Sequence, residues 1–282
     1  LARPAMSSIA HEEGTRGGTV HPYFYPPPYL LTMAWAADLN LQQSVTVWFW
    51  CNQFLLLGVG MLLFRWFRVP LWWLGVLLLS FTPIPDNAKM GQANLPVLFI
   101  AIWGLWKQRG WLIGAAAMFK MSPALYLFVW AARRWWKRCI GAVLAALVLS
   151  VAALTLVSWE AQLRFYFEVL PTFSSGSYHG LTVPIPMGFY RGNHSVAEVF
   201  NQFWPGADAH TLSTLASWGA KAVVLSVLGV LCWMARRERD ALGEACLAGA
   251  ITILMLIAPV FTYEHHLVFL LLPLAALGTA LI

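Results

Sequence analysis

Long hydrophobic runs dominate the chain, and short polar or basic stretches separate them. A helix needs about 20 mainly apolar residues to cross a bilayer. On this pattern we predict eight spanning segments, two of them short or interrupted, at 44–64, 70–82, 93–106, 110–132, 139–158, 213–235, 243–260 and 266–282. Segment 28–37 is too short to cross and begins at the last of three prolines, so we expect a re-entrant half-helix there. The predicted fold is an all-α polytopic membrane protein.

Composition agrees with this pattern. Of 282 residues, 60% are hydrophobic and only 11% are charged, whereas a soluble domain carries about 25% charged residues. So few charges cannot cover a water-facing surface, which excludes a soluble globular enzyme, a disordered chain and a nucleic-acid binder. The 16 Trp and 17 Phe are typical of a protein whose surroundings are membrane lipids, because aromatic side chains concentrate at bilayer interfaces.

Basic residues predict the orientation of the segments. Four clusters follow the first, third, fourth and sixth segments, and they comprise Arg65 and Arg68, Lys107 and Arg109, Arg133, Arg134, Lys137 and Arg138, and Arg236, Arg237 and Arg239. If each segment crosses once, all four clusters lie on one side, which the positive-inside rule makes cytoplasmic. Residues 1–282 then form a single transmembrane domain with one large extracytoplasmic loop at 159–212.

Polar side chains that could carry chemistry fall on the predicted outer face. Tyr25 precedes the three prolines, which either fix a helix entry or form a pocket wall with the Tyr25 hydroxyl. The run from Asp86 to Asn94 holds five polar side chains in nine residues. Asp86 is the internal carboxylate that could act as a base, or it pairs with Lys89 at the interface. Gln92 and Asn94 enter an apolar helix, where they either bond to other helices or bind substrate.

Cations on the same face predict an anion site. Lys120 lies inside an apolar segment that Pro123 interrupts, and such a lysine either faces a cavity that accepts a phosphate or snorkels to the interface. Arg191 precedes a turn that contains Asn193, so it either pairs with phosphate or belongs to a solvated turn. The Asn193-His194-Ser195 string also matches a glycosylation sequon, a pattern that is common by chance.

The third candidate group is Glu264-His265-His266, which follows Pro259 and begins the last segment. Adjacent residues lie about 100° apart on a helix, so the two histidines cannot share a face or a metal ion. The four cysteines have no C-x-x-C spacing, and we expect neither a metal nor a cofactor. We predict that His266 faces the cavity and that His265 packs or bonds to backbone; the alternative is a pair of interfacial anchors.

Taken in order, these motifs resemble glycosyltransferase family 87. Family members carry Y-P-P, G-Q-x-N, K-x-x-P, G-N-Q-S and P-x-S-W-x-H-H. The corresponding stretches here are Tyr25-Pro26-Pro27, Gly91-Gln92-Ala93-Asn94, Lys120-Met121-Ser122-Pro123, Gly192-Asn193-His194-Ser195 and Pro259 to His266. The resemblance covers about residues 25–282. Each motif alone is weak, but five in the same order are fairly specific.

The resemblance implies a C-type glycosyltransferase of the bacterial inner membrane. Such an enzyme moves a hexose, typically mannose, from a polyprenyl-phosphate donor to a lipid or glycan acceptor on the extracytoplasmic face. It implies that the donor phosphate binds at Lys120, Arg191, His265 and His266. It also implies that the substrate pocket contains Tyr25, Gln92, Asn94 and Asn193.

The chain departs from the family pattern in three places. His194 replaces Gln, and Thr262-Tyr263 replaces Ser-Trp. The family's catalytic Asp lies in a first outer loop after a first span, and we expect both to lie upstream of Leu1 in a longer protein. Asp86 is then the candidate base within the chain. Two alternatives stay open, a transporter or flippase of a lipid-linked or anionic solute and a catalytically inactive fragment. Clustering of polar residues on the outer face, rather than at the midplane, favours the transferase.

Overall fold

The computed structural model describes residues 25–171, 193–205, 212–237 and 240–280, and every regular element within them is helical. This confirms the predicted all-α fold. We number the α-helices α1 to α12 in chain order: Leu41–Phe67, Leu71–Ser80, Pro83–Lys89, Asn94–Trp106, Gly110–Phe119, Leu125–Ala132, Trp136–Ala152, Trp159–Arg164, Val196–Phe203, Thr214–Arg237, Ala241–Ile257 and Leu271–Ala280. Short elements add 3-10 helices at Pro27–Thr32, Ala34–Asp38, Ser122–Ala124, Ala153–Thr155 and Glu264–Leu270, and a π-helical turn at Phe165–Val169.

Among the described residues, three helical stretches are each long and apolar enough to cross a membrane: Leu41–Phe67, Trp136–Thr155 and Thr214–Arg237. They lie at the periphery and turn large apolar side chains outwards, such as Phe54, Val148 and Leu225, which are 69%, 65% and 66% exposed. Apolar surface of this extent is compatible with lipid rather than with water. The protein is therefore a multi-pass membrane protein, as its composition predicts.

Shorter apolar helices form the interior. Helices α4, α5, α11 and α12 contribute the side chains that are most completely buried, which include Leu98, Ile102, Ile113, Ile251 and Leu272. These helices have 10 to 17 residues, less than a full crossing requires. The number of eight crossings therefore stays a prediction.

The interruption predicted within 110–132 is present. Helix α5 ends at Phe119, Lys120 has an extended backbone with φ −153° and ψ 122°, and a 3-10 turn that contains Pro123 leads into α6. Proline has no N–H for the helical ladder, so the helix restarts around it. Segment 28–37 is also helical, but it consists of two 3-10 helices joined at Met33 rather than one half-helix.

Helices α5 and α7 pack with their backbones in close contact. Gly110 and Gly114 lie one turn apart on α5 and face the backbone of α7. A Cβ atom at Gly110 would lie 1.9 Å from the carbonyl oxygen of Arg138, and a Cβ at Gly114 would lie 2.2 Å from that of Ala142. Small residues four apart allow this approach, as they do in many membrane helix pairs.

The segment ends that carry basic clusters meet at one end of the bundle, which we call the basic end. There the Arg138 guanidinium donates to Gln108 Oε1, and Arg236 Nε donates to the carbonyl of Ala132 at 3.3 Å. Trp66, from the end of α1, lines a cleft with Arg138. The structure thus brings the clusters together as the sequence predicts, while their position on the cytoplasmic side stays a prediction. Arg239 lies outside the described residues.

The segment predicted as one large loop, 159–212, has helical structure in its described parts. Ser158 caps α8, its hydroxyl accepting from the N–H of Ala161 at 3.3 Å, and Ser195 caps α9. Residues 172–192 and 206–211 lie outside the described residues. The predicted phosphate ligand Arg191 is one of them. The extracytoplasmic position of this segment stays a prediction.

Candidate active site

Tyr25 joins the proline segment to the start of α4. Its hydroxyl donates to Gln92 Oε1 at 2.5 Å and accepts from the N–H of Ala93 at 3.3 Å. Tyr29 stacks against it with ring centroids 4.6 Å apart. Burial raises the pKa of Tyr25, so the phenol stays protonated and remains a donor at neutral pH. The Tyr25 hydroxyl therefore orients the Gln92 amide.

Asn94 is the junction at which three of the motifs meet. It is fully buried at the first turn of α4. Its Nδ2 donates to Asn87 Oδ1 at 3.0 Å and to the carbonyl of His265 at 2.9 Å, and its Oδ1 accepts from Lys120 Nζ at 2.6 Å. All the hydrogen-bonding capacity of the amide nitrogen is thereby used within the protein. Asn94 positions its neighbours rather than offering a donor to a ligand.

Lys120 points into the protein rather than towards the interface. Its ammonium bonds to Asn94 Oδ1 and lies 5.8 Å from the centroid of the Phe269 ring. Within the part of the chain that the structure describes, no carboxylate oxygen lies within 4.0 Å of the ammonium. An ammonium held by a neutral amide in partly buried surroundings keeps an unbalanced positive charge. Such a group attracts an anion.

The two histidines differ in their surroundings. His266 Nδ1 accepts from the N–H of Tyr263 at 3.1 Å, which places the proton of the neutral imidazole on Nε2. His266 therefore presents an Nε2–H donor away from its own backbone. His265 is 8% exposed, its carbonyl accepts from Asn94, and its ring lies 4.2 Å from the ring of His266. His266 is the less buried of the two histidines, and its orientation towards a cavity stays a prediction.

Asn193 connects the segment before α9 to the segment after α11. Its Nδ2 donates to the carbonyl of Val260 at 3.0 Å, and its Oδ1 accepts from the N–H groups of Thr262 at 2.9 Å and Ser195 at 3.2 Å. His194 adds a backbone bond from its N–H to the carbonyl of Thr262 at 2.7 Å. The Asn193 amide thus holds together two motifs that are far apart in sequence.

Asp86 lies at the same end of the bundle as the residues above, but its side chain is more exposed. Its carboxylate is paired with Lys89 Nζ at 3.4 Å, and the two side chains are 37% and 75% exposed. This is the interfacial ion pair that the sequence left open as the alternative to a catalytic base. Helix α3, which carries Asp86, packs against the Glu264–Leu270 turn. We call the end formed by Tyr25, Gln92, Asn94, Lys120 and His266 the polar end.

The sequence argument assigned no specific role to several buried polar residues, three of which lie in or after the candidate motifs. Asn87, Glu198 and Asn201 are 0%, 5% and 9% exposed. Asn87 Nδ2, Glu198 Oε2 and Asn201 Oδ1 have no hydrogen-bond partner among the residues described. Asn87 stands in the polar run that the sequence singles out, and its contact with Asn94 could have been suspected from that proximity. Glu198 stands three residues after Ser195, and this capping spacing offers a purely structural reason for a glutamate.

Replacing Glu198 with Gln should stabilise the protein at neutral pH. Burial raises the pKa of Glu198 above its ordinary value near 4.5. Because the folded pKa exceeds the unfolded pKa, the carboxyl group favours folding only while it is protonated, and that stability is lost as the pH rises from the unfolded towards the folded pKa. Thermal unfolding in detergent should show Glu198→Gln melting about 2–4 °C above wild type at neutral pH, with the difference vanishing in acid.

The control for this comparison is Glu168→Gln. The Glu168 side chain is 64% exposed and pairs with Arg164 on the same short helical stretch, so its replacement should leave the unfolding temperature at neutral pH close to that of wild type. A difference between Glu198→Gln and wild type that persists unchanged in acid would contradict the argument.

Comparison with known proteins covers most of the candidate site residues. The model of glycosyltransferase family 87 matches residues 23–259, a range that contains Tyr25, Gln92, Asn94, Lys120 and Asn193. The polyprenol-phosphate-mannose-dependent alpha-(1-2)-phosphatidylinositol pentamannoside mannosyltransferase of Mycobacterium tuberculosis (strain CDC 1551 / Oshkosh) is 26% identical over 197 residues. That alignment covers 67% of this chain and 41% of the relative, so the chain spans less than half of that protein's length. No solved structure matches the chain significantly. Since the family match extends over most of the chain, this multi-pass membrane protein belongs to glycosyltransferase family 87.

Proposed function

We propose that the protein is a membrane glycosyltransferase that moves a hexose, specifically mannose, from a polyprenyl-phosphate donor to a lipid or glycan acceptor. The observation that carries the proposal is the Lys120 ammonium, held by Asn94 without a carboxylate within 4.0 Å among the described residues. The choice of mannose rests on the name of the mycobacterial relative. We place the reaction on the extracytoplasmic face of a bacterial inner membrane, because the polar end lies opposite the basic end.

The donor phosphate is proposed to bind between Lys120 and His266. In the donor this group is a phosphodiester with one negative charge, and it leaves as a phosphate monoester that carries more charge. The Lys120 ammonium and the His266 Nε2–H can stabilise that developing charge. Apolar grooves between helices suit the prenyl chain. Arg191 remains a further proposed ligand, and His265 acts in this proposal mainly by packing against His266.

Gln92 is the pocket residue best placed to recognise the sugar. Its Oε1 accepts from Tyr25, which orients the amide, and its Nε2 has no hydrogen-bond partner among the residues that the structure describes. The two N–H donors can therefore meet hydroxyl oxygens of a sugar. In the same proposal Tyr25, Asn94 and Asn193 shape the pocket and hold its walls.

The reaction needs a base to accept the proton of the acceptor hydroxyl. As that oxygen bonds to the anomeric carbon, the bond from this carbon to the phosphate oxygen breaks, and the phosphate leaves with the electron pair. The family resemblance implies inversion at the anomeric carbon. It also implies an Asp upstream of Leu1 as the base, and Asp86 is the alternative within the chain.

Sugar transfer by the full-length protein tests the proposal directly. Membranes that contain it should transfer label from polyprenyl-phosphate mannose to an endogenous acceptor, and should not use a nucleotide sugar when synthesis of the lipid-linked donor is blocked. Direct use of the nucleotide sugar would contradict the donor assignment. Movement of the labelled lipid across the bilayer without transfer would favour a flippase.

Among the histidines, His266→Ala should reduce transfer much more than His265→Ala. The first removes an Nε2–H donor that the Tyr263 N–H holds in one tautomer, and losing one such donor at a developing oxyanion costs about 100-fold or more. His266→Gln, which keeps an N–H at a similar distance from the backbone, should retain part of the activity. Initial rates at equal expression measure the ranking, and the reverse order would place His265 at the phosphate instead.

A further inference from the structure

A second cleft opens at the basic end, far from the motifs that define the family. Its cavity volume is about 40 Å³. Residues from five helices line it. The half-buried side chains of Trp66, Trp135, Arg138 and Glu244 lie at the mouth, and the cleft is also lined by the buried side chains of Trp130 and Arg133.

The two arginines of the cleft have different partners. Arg133 Nη1 bonds to Glu244 Oε1 at 2.8 Å and its Nε bonds to the carbonyl of Ala235 at 2.6 Å. With its side chain 7% exposed, Arg133 is an internal brace whose charge Glu244 balances. Arg138 bonds to the neutral amide oxygen of Gln108, and no carboxylate oxygen lies within 4.0 Å of its guanidinium in the described part of the chain. The cleft therefore has an excess of one positive charge.

Aromatic rings fix that charge in place. The Arg138 guanidinium lies 3.6 Å from the ring centroid of Trp135 and 6.0 Å from that of Trp130. Stacking of this kind holds the guanidinium plane and leaves its N–H edge available to a ligand. An arginine edge of fixed orientation can donate two parallel hydrogen bonds to a phosphate.

Below the mouth the cleft becomes apolar. Leu105, Val129, Leu247 and Ile251 line its inner part. Tryptophan at the mouth and aliphatic side chains inside follow the polarity of a bilayer leaflet from headgroup to acyl chain. Because Val129, Leu247 and Ile251 are only 3%, 6% and 1% exposed, a ligand binds at the mouth through its anionic head.

The cleft is separate from the proposed active site. Gly110, the first residue of α5, packs on the backbone of Arg138, whereas Lys120 follows the last residue of the same helix. Ten residues of α-helix span about 15 Å. A molecule bound at Arg138 therefore lies near the opposite end of the bundle from Lys120.

We propose that this cleft binds the phosphate headgroup of an anionic glycerophospholipid. The Arg138 guanidinium donates to the phosphate, and the tryptophans lie beside the glycerol region. Basic pockets between membrane helices commonly bind anionic lipids in this way. The bound lipid joins α6, α7 and α11 at the basic end and so stabilises the bundle.

The test uses the purified full-length protein in a neutral detergent, with thermal unfolding and native mass spectrometry as readouts that do not depend on transfer activity. Dioleoyl phosphatidylglycerol should raise the unfolding temperature and remain bound, whereas dioleoyl phosphatidylcholine should do neither. Arg138→Gln should weaken phosphatidylglycerol binding about tenfold, and Arg138→Lys should fall between this variant and wild type.

The matched control is Arg65→Gln, which removes the same charge from an exposed position at the last turn of α1. It should bind phosphatidylglycerol as wild type does. Equal losses in Arg65→Gln and Arg138→Gln would overturn the proposal, because they would reveal diffuse attraction to the basic end. Equal stabilisation by inorganic phosphate or by glycerol phosphate would also overturn it, since a free anion would then suffice. Unfolding of lipid-free Arg138→Gln at the wild-type temperature shows that the variant is folded.

Discussion

Lys120→Met is expected to lower the rate of sugar transfer by about 100-fold or more while the protein remains folded. Methionine keeps much of the length of the side chain but removes the ammonium that bonds to Asn94 Oδ1 at 2.6 Å. The loss should appear chiefly in the use of the polyprenyl-phosphate donor, because the charge is proposed to act on its phosphate. Lys120→Arg should retain partial activity, since it keeps the charge but changes its geometry.

The control for this prediction is Lys89→Met. Lys89 lies at the same polar end, and its side chain is 75% exposed. Its Nζ pairs with Asp86 Oδ1 at 3.4 Å. An exposed pair of this kind contributes little to stability, so this variant should transfer sugar at close to the wild-type rate. If Lys120→Met were as active as Lys89→Met, the ammonium of Lys120 would have only a structural role.

The helices of this fold could be predicted because their signals are local. The predicted segment 93–106 is helix Asn94–Trp106 in the structure, since an apolar run bounded by polar residues fixes both its start and its end. The break near Lys120 could be predicted equally well, because Pro123 cannot continue the hydrogen-bond ladder of a helix. Segment 266–282 was predicted less well. It begins within a 3-10 helix, Glu264–Leu270, and an apolar pattern alone does not distinguish such a helix from an α-helix.

The sequence named candidate site residues, but it did not predict the contacts among them. Asn94 meets the carbonyl of His265 across 171 residues of sequence, a contact that depends on how separate helices dock. No local pattern says whether an asparagine bonds to protein or to ligand. The structure shows that the amides of Asn94 and Asn193 bond within the protein. The amide N–H groups of Gln92 have no hydrogen-bond partner among the described residues. The burial of Glu198 also depends on how separate helices dock, so the sequence did not predict it.

Close packing of α5 on α7 leads to the largest expected effect on stability. Gly114→Ala should lower the unfolding temperature and the yield of folded protein, because the new methyl group would lie 2.2 Å from the carbonyl oxygen of Ala142. That oxygen belongs to the backbone, so no side-chain rotation relieves the overlap and the two helices must separate. Overpacking of this kind costs about 1–3 kcal/mol, and occasionally more.

Gly229→Ala provides the matched control, since Gly229 lies on the long helix α10 and a Cβ there would meet no atom within 4 Å. Alanine is preferred to glycine in a helix by about 0.5–1 kcal/mol, so the same substitution should leave this site unchanged or more stable. Gly114→Ala should therefore lower the unfolding temperature of the detergent-solubilised protein, whereas Gly229→Ala should leave it unchanged or raise it. Because α5 ends next to Lys120, separation of α5 from α7 should also displace the ammonium, and transfer should fall in Gly114→Ala but not in Gly229→Ala. Equal stability of the two variants would mean that α5 and α7 do not approach each other at Gly114.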